Sequence, residues 1–283
     1  MITVRLAGGM GNQMFQYAVG RSLALKYDTS LLLDTTYLLD RTPRPNFTFR
    51  DYDLDVFCIQ AKTASCFLSP IALYIDKIKN RIWKAKGVEK GFAFDKSILS
   101  LGPNVYLQGY WQSEKYFSEI KDTIRKDFSL ASPLSQQSQT LLEEITQTMS
   151  VCIHVRRGDY VNNTFHDVGL GKSYYDKGLE YIAGKQAIEK IYVFSDDIGW
   201  CKNNLQFPFT TTFVGEEYAG TKGEGHIALM NACKHFIIPN SSFGWWGAWL
   251  STYEQKIVVA PQRWFTDNTV NTNDITPPEW VRM

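Results

Sequence analysis

Two adjacent arginines, Arg156 and Arg157, directly follow the apolar run Val151–Val155. Guanidiniums are costly to leave unpaired at the end of a strand, and their planar donor forks match the oxygens of a phosphate. A diphosphate is their natural counterion. The plainer alternative is an ion pair with Asp159 or another carboxylate that only ties the loop down. Position favours the anion, because parallel α/β sheets bind ligands beyond the carboxyl ends of their strands. His154 lies near the end of the same run.

A second group, Asn240, Ser241, Ser242 and Phe243, lies between a short apolar strand and the helical run Trp245–Leu250. Small hydroxyl residues there cap a helix, and its free N–H groups and dipole form an anion site. The tryptophans read as core, since Trp245 and Trp249 share a face at i, i+4. A third group, Asp196 and Asp197, ends the strand Ile191–Ser195 and could accept from a nucleobase edge or a ribose hydroxyl. Taken alone, it reads better as a helix cap.

The turn Gly8, Gly9 and Gly11 lets backbone approach something closely, and Asn12 and Gln13 present amides at the start of a helix. Position 14 is Met, so the third glycine of a dinucleotide fingerprint is missing, and close packing of helix on strand over a pyrophosphate is not indicated. No P-loop, HExxH or GxSxG pattern occurs. Redox, nucleotide-triphosphatase and serine-hydrolase readings fall away. Asp53 and Asp55 form a lone DxD, which strand alternation on a solvated face explains as well as metal binding does. No metal is assigned.

The elements that must position these residues alternate along the chain. Strand Ile2–Leu6, the glycine turn, a helix from about Gln13 to Lys26 and strand Leu31–Asp34 make a βαβ unit. Tyr116, Ile120, Ile124 and Phe128 recur every four residues, which predicts one amphipathic helix over 116–128. Ser129–Gln139 reads as linker and Thr140–Thr148 as helix. The second half alternates again: strands Val151–Val155, Ile191–Ser195, Thr212–Val214, Phe236–Ile238 and Ile257–Ala260, with helices Tyr174–Lys185, His226–Cys233 and Trp245–Leu250 between them. This pattern predicts a parallel sheet covered on both faces. The region 39–91 yields no clear assignment.

The chain has 283 residues, 44% hydrophobic and 21% charged, which excludes a disordered tail or a disulfide miniprotein. Thirty Lys and Arg against 29 Asp and Glu give a net charge of +1, so no whole-chain field draws nucleic acid or an anionic membrane. The five cysteines are scattered and lack metal spacing, and they read as reduced thiols. No signal peptide opens the chain, and the longest apolar stretch, Phe67–Ile75, falls short of the roughly 20 residues that span a bilayer. The expectation is a soluble, cytoplasmic protein.

Together, Gly-Gly-Met-Gly-Asn-Gln-Met-Phe-Gln-Tyr-Ala (8–18), His-Val-Arg-Arg-Gly-Asp-Tyr (154–160), Phe-Ser-Asp-Asp (194–197) and the long run 229–250 through Pro-Asn-Ser-Ser-Phe-Gly-Trp-Trp resemble the α-1,2-fucosyltransferases of glycosyltransferase family 11. The resemblance covers nearly the whole chain. Gly244 stands where the family pattern leads one to expect serine. The resemblance implies a GT-B fold, α/β, with two Rossmann-like domains facing across a cleft. It implies an N-terminal acceptor-side domain over 1–145, a C-terminal GDP-fucose-binding domain over 146–265, and a tail, 266–283, packing back on the first.

The implied reaction is inverting transfer of L-fucose from GDP-β-L-fucose to the 2-hydroxyl of a galactoside, without a metal or other cofactor. Arg156 would hold the diphosphate, with Arg157 assisting or bracing. His154 would lie near guanine or phosphate, Asp196 or Asp197 would read guanine or ribose, and Ser241, Ser242 and Phe243 would line the nucleotide pocket. Asn12, with Gly11 and Gln13, would approach the fucose and β-phosphate. Asp159 is the carboxylate nearest the arginines in sequence and the first candidate base, with Glu224, His226 and Asp167 also open. Two other readings remain: a different sugar nucleotide, metal-assisted through Asp53 and Asp55, and a non-catalytic carbohydrate- or nucleotide-binding protein.

Overall fold

The computed structural model describes residues 1–43, 48–64, 87–158, 160–161 and 163–283. Asp159 lies outside the described residues, as do the whole apolar stretch and much of the unassigned region.

The chain divides into two compact units, 1–131 with 273–275 and 132–272 with 276–283. In the first, strands β1 (Ile2–Arg5), β2 (Leu31–Asp34), β3 (Lys62–Ala64), β4 (Gly87–Val88) and β5 (Val105–Gln108) form a wholly parallel sheet, ordered β3-β2-β1-β5-β4. Helix α1 (Met10–Lys26) crosses from β1 to β2, with Gly9 at its N-cap. It starts three residues earlier than expected, so Gly11, Asn12 and Gln13 occupy its first turn. Close helix–strand packing is present at another position of the helix. Gly20 supplies it, since a Cβ there would stand 2.5 Å from Val4 and 2.7 Å from Leu31.

Two further expectations in this unit are corrected. The segment 116–128 is not one helix: 3-10 turns at Glu114–Tyr116 and Ser118–Ile120 precede helix α3 (Lys121–Asp127), a one-turn helix α2 (Thr36–Leu39) having come earlier. Phe117 leaves the helical region (φ −141°, ψ 16°) to bury its ring, 6.3 Å from that of Phe15. Burial of one aromatic therefore overrides the local period. Asp53 and Asp55 lie at a 3-10 turn, Leu54–Val56, instead of a strand, and the turn is anchored by buried Leu54.

In the second unit, β6 (Ser150–Val155), β7 (Lys190–Ser195), β8 (Thr210–Val214), β9 (His235–Ile237), β10 (Val258–Ala260) and β11 (Val281–Arg282) are parallel throughout, ordered β11-β10-β9-β6-β7-β8. Every residue of central β6 is buried, which is why its sequence is mostly apolar and lacks the alternation of a half-exposed strand. Helix α4 (Gln136–Gln147) begins inside the expected linker. Ser135 caps it, accepting from Ser138 N at 3.2 Å. Its Glu144 accepts from Tyr192 Oη at 2.6 Å on β7, which ties the helix to the second sheet; the units accordingly divide at 131/132, earlier than residue 145.

The C-terminal tail serves both units. Asp274 accepts from Phe94 N at 2.8 Å and pairs with Lys115 within the first unit, while β11 extends the second sheet. Helices α5 (Lys172–Ala183), α6 (Ile198–Asn204), α7 (Glu224–Asn231) and α8 (Ser242–Leu250) complete the second unit. Trp245, Trp246 and Trp249 of α8 are core residues, with the Trp245 and Trp249 rings stacked at 5.8 Å. Lys256 Nζ donates to Ala248 O and Ser251 O at the carboxyl end of α8, complementing the helix dipole. No helix among the described residues is long and apolar enough to cross a membrane.

Candidate functional site

The carboxyl ends of β9, β6 and β7 are neighbours by strand pairing, so the segments after them share one edge. That edge gathers His154, Arg156, Arg157, Asp196, Asp197, Ser241, Ser242 and Phe243. Arg156 Nη1 pairs with Asp196 Oδ2 at 3.1 Å, each side chain 24% exposed. Arg157 Nε pairs with Asp197 Oδ2 at 3.2 Å, and its guanidinium lies 3.7 Å from the centre of the Trp200 ring. Asp196 also accepts from Arg157 N at 2.9 Å. Part-exposed ion pairs of this kind are worth only about 0–1 kcal/mol. An incoming anion can therefore replace the carboxylate, while the Arg157 backbone bond keeps Asp196 in place.

Asp197 has the plainer of its two expected roles as well: it caps α6, accepting from Trp200 N at 3.0 Å, and its own N–H reaches Ser195 Oγ at 2.9 Å. Ser241, by contrast, occupies the N-cap position of α8 without a side-chain cap hydrogen bond. The hydroxyl-cap expectation is corrected there. Ser241 N is bonded to Pro239 O, and its main chain is extended. The first turn of α8 thus keeps the uncapped N–H groups and positive dipole end that attract anions.

His154 is buried beneath this turn, and burial, followed by the charge of Arg156 and then His226, pushes its pKa down to about 3. The ring is neutral near pH 7. Its Nδ1 is buried with no hydrogen-bond partner among the described residues. Gly244 makes the arrangement possible, because a Cβ at that position would stand 2.5 Å from His154 Nδ1. The ring fills the place where a serine was expected. Phe243 packs 5.7 Å from the His154 ring, centre to centre.

Beside the arginines lies a cavity of about 310 Å³, lined by Arg156, Arg157, Tyr160, Asp167, Trp200 and Asn240 among others. That is the lower end of the roughly 300–1,000 Å³ range of small-molecule sites. Its irregular wall, the segment after β6, is held from three directions. Tyr160 Oη donates to Asn240 O at 3.1 Å, Asn240 Nδ2 donates to His166 O and Trp264 O, and Thr266 N donates to Phe165 O.

The other candidate bases sit differently. The Glu224 carboxylate accepts from Thr221 N and Lys222 N. Burial works against its charge, but these bonds hold its pKa below the usual value. His226 Nε2 lies 2.9 Å from Gly215 O. Among the described candidates, Asp167 alone lines the cavity.

Gly11, Asn12 and Gln13 follow β1 in the first unit. Gln13 is fully buried: its Nε2 donates to Gly8 O at 2.9 Å and Asp51 O at 2.8 Å, and its Oε1 accepts from Asp53 N at 2.9 Å. Both ends of the amide are thus engaged in fixing the turn that carries the DxD pair. Asn12 Oδ1 accepts from Gln112 Nε2 at 2.7 Å. Two residues that sequence reasoning passed over belong to this edge, Glu89 directly after β4 and Gln112 shortly after β5. The signal was available in the rule that residues after strands come first, but those two short strands were not recognised. Among the described residues no group of three or more His, Cys, Asp and Glu could share a metal ion.

Comparison with known proteins places the chain in a family. An alpha-1,2-colitosyltransferase of Escherichia coli is 34% identical, over 100% of this chain and 99% of that protein. The O-antigen biosynthesis glycosyltransferase WbnK of Escherichia coli is 31% identical, over 98% of this chain and 99% of that protein. A solved structure of a point mutant of Arabidopsis thaliana FUT1 in complex with GDP superposes with a TM-score of 0.50, covering 95% of this chain and 72% of that one at 12% identity, a likeness of fold. The two Rossmann-like parallel sheets are those of the GT-B class. Residues 76–283 match the family described as Glycosyl transferase family 11, and the chain belongs to that family.

Proposed function

We propose that this glycosyltransferase transfers L-fucose from GDP-β-L-fucose to the 2-hydroxyl of a terminal galactose with inversion, in the cytoplasm and without a metal ion. One observation carries the reading: Arg156 and Arg157 stand in exchangeable ion pairs at the carboxyl end of β6, beside an α8 N-terminus that its serine leaves uncapped. The acceptor oxygen attacks the anomeric carbon as the bond from that carbon to the β-phosphate oxygen breaks, and its electron pair leaves with GDP. Arg156, the N–H groups of Ser242 and Phe243 and the neutral His154 ring stabilise the charge that develops on the diphosphate. Asn12 meets the fucose and β-phosphate, and Asp159 receives the proton of the acceptor hydroxyl. The free, buried thiols Cys152, Cys201 and Cys233 fit a reducing compartment.

The 34%-identical relative, an alpha-1,2-colitosyltransferase, favours a second donor, the GDP ester of colitose, which is fucose without its 3-hydroxyl. The two donors share every group that the second unit is proposed to hold. The experiment mixes the protein with GDP-fucose, GDP-colitose or a UDP-sugar and a panel of galactosides, with a chelator, with added divalent metal and with neither. GDP release with a product heavier by one deoxyhexosyl residue from GDP-fucose, or one dideoxyhexosyl residue from GDP-colitose, undiminished by the chelator, is expected. Release only from a UDP-sugar, or only with added metal, would overturn the reading.

A further inference from the structure

At the edge of the first sheet, one amide determines which end of another faces outward. Asn12 in the first turn of α1 carries an oxygen and an N–H₂ group that differ only in how the amide is turned, and in the structure the oxygen turns to Gln112 and the N–H₂ group to Gly8. Gln112 Nε2 donates to Asn12 Oδ1 at 2.7 Å, so the oxygen is engaged. Gly8, with φ +77°, leaves space for the other end, since a Cβ there would stand 2.5 Å from Asn12 Nδ2.

Gln112 is itself held by an unusual turn. The Glu89 carboxylate accepts from Tyr110 N at 2.6 Å and Trp111 N at 2.8 Å, and Trp111 adopts φ +57°, a left-handed conformation that a bulky residue adopts only under constraint. Trp111 is fully buried, against Tyr116 at 5.6 Å between ring centres. Gln112 is also buried, and its Oε1 has no partner among the described residues. A strained turn and an unsatisfied buried acceptor are both unfavourable for folding, and such features persist where a function requires them.

We infer that Gln112 is a positioning residue for Asn12: its N–H engages Asn12 Oδ1, so that Asn12 presents Nδ2–H at the Gly8 turn as a donor to the sugar nucleotide. Glu89 and Trp111 hold the turn that brings Gln112 there. The inference rests on the proposal that Asn12 meets the donor, and it adds the reason Asn12 arrives with a hydrogen to give.

The substitution Gln112→Glu keeps the shape and removes the donor. The Asn12 amide then reverses, with Nδ2 bonding the new carboxylate and oxygen facing the Gly8 turn. Turnover should fall about 100-fold, the scale of a misoriented contact, with a smaller change in donor KM and an unchanged melting temperature. Asn12→Asp keeps the bond from Gln112 but offers only oxygen, so it should be as inactive as Asn12→Ala. In an Asn12→Ala background Gln112→Glu should cause no further loss.

Wild-type turnover in Gln112→Glu or in Asn12→Asp, or an undiminished second loss in the double variant, would overturn the inference while leaving the proposed function standing. Near-normal turnover in Asn12→Ala would overturn Asn12's part in both. If Gln112→Glu melts early, the neutral Gln112→Met takes its place under the same expectations.

Discussion

The two sheet edges of this chain begin alike and are finished differently. Each has a helix that starts without a side-chain cap just beyond a central strand, α1 after β1 and α8 after β9. Around α1 the polar groups are amides bonded to one another and to backbone: Gln13 to Gly8, Asp51 and Asp53, and Gln112 to Asn12. Around α8 they are part-exposed ion pairs, Arg156 with Asp196 and Arg157 with Asp197. A buried amide costs about 1–3 kcal/mol to leave unsatisfied, whereas a part-exposed ion pair contributes about 0–1 kcal/mol. The first edge is therefore built to hold its shape, and the second to exchange partners.

The largest test of that contrast is Arg156→Ala. Turnover should fall on the order of 100- to 1000-fold with little change in melting temperature, and steady-state kinetics beside a thermal melt check both halves. Gln13→Ala should do the reverse to the first edge, lowering stability by about 2 kcal/mol in urea unfolding, because the carbonyls of Gly8 and Asp51 and the N–H of Asp53 lose their partner in part-buried hydrogen bonds. A melt within error of wild type would break the claim that this edge is rigid.

Acid should separate the edges next. His154 is neutral when folded, with its pKa lowered to about 3, whereas in the unfolded chain it protonates near about 6.5. The unfolded state thus binds the extra proton between those values, and stability should fall as pH drops from about 6.5 towards 3. Glu89 acts in the opposite direction: burial, partly offset by the Tyr110 and Trp111 N–H groups, raises its carboxyl pKa. Its contribution is full below the ordinary carboxylate range and is lost as pH rises through the raised value. Urea midpoints across pH 7 to 4 should show a decline that His154→Asn flattens and Glu89→Gln steepens. The smallest effect is expected of Asp197→Ala, about 1 kcal/mol for the lost α6 cap, read from the same unfolding curves.

The same contrast explains what could be read from the sequence. The second sheet was legible because its central strands are mostly apolar runs, as in Val151–Val155 and Ile191–Ser195, and the charged residues stand immediately after them. The arginines were found for that reason, but not their partners, since Arg156 and Asp196 meet only through the pairing of β6 with β7. The first edge was legible only at its glycines. Gln13 and Asp53 lie 40 positions apart, and Asn12 and Gln112 lie 100 apart, so no local pattern could join them. Strands of two residues, β4 and β11, owe their existence to a neighbour's ladder, and with β4 unseen Glu89 could not be noticed as a residue after a strand.

The central claim, that Arg156 and Arg157 exchange their carboxylates for a nucleoside diphosphate, is tested most directly by calorimetric titration of the wild type and of Arg156→Ala with GDP and with UDP. The account predicts that GDP binds the wild type, that UDP binds at least tenfold more weakly, and that Arg156→Ala loses at least about tenfold in GDP affinity, about 1.4 kcal/mol. Equal GDP affinity in the two proteins would contradict it.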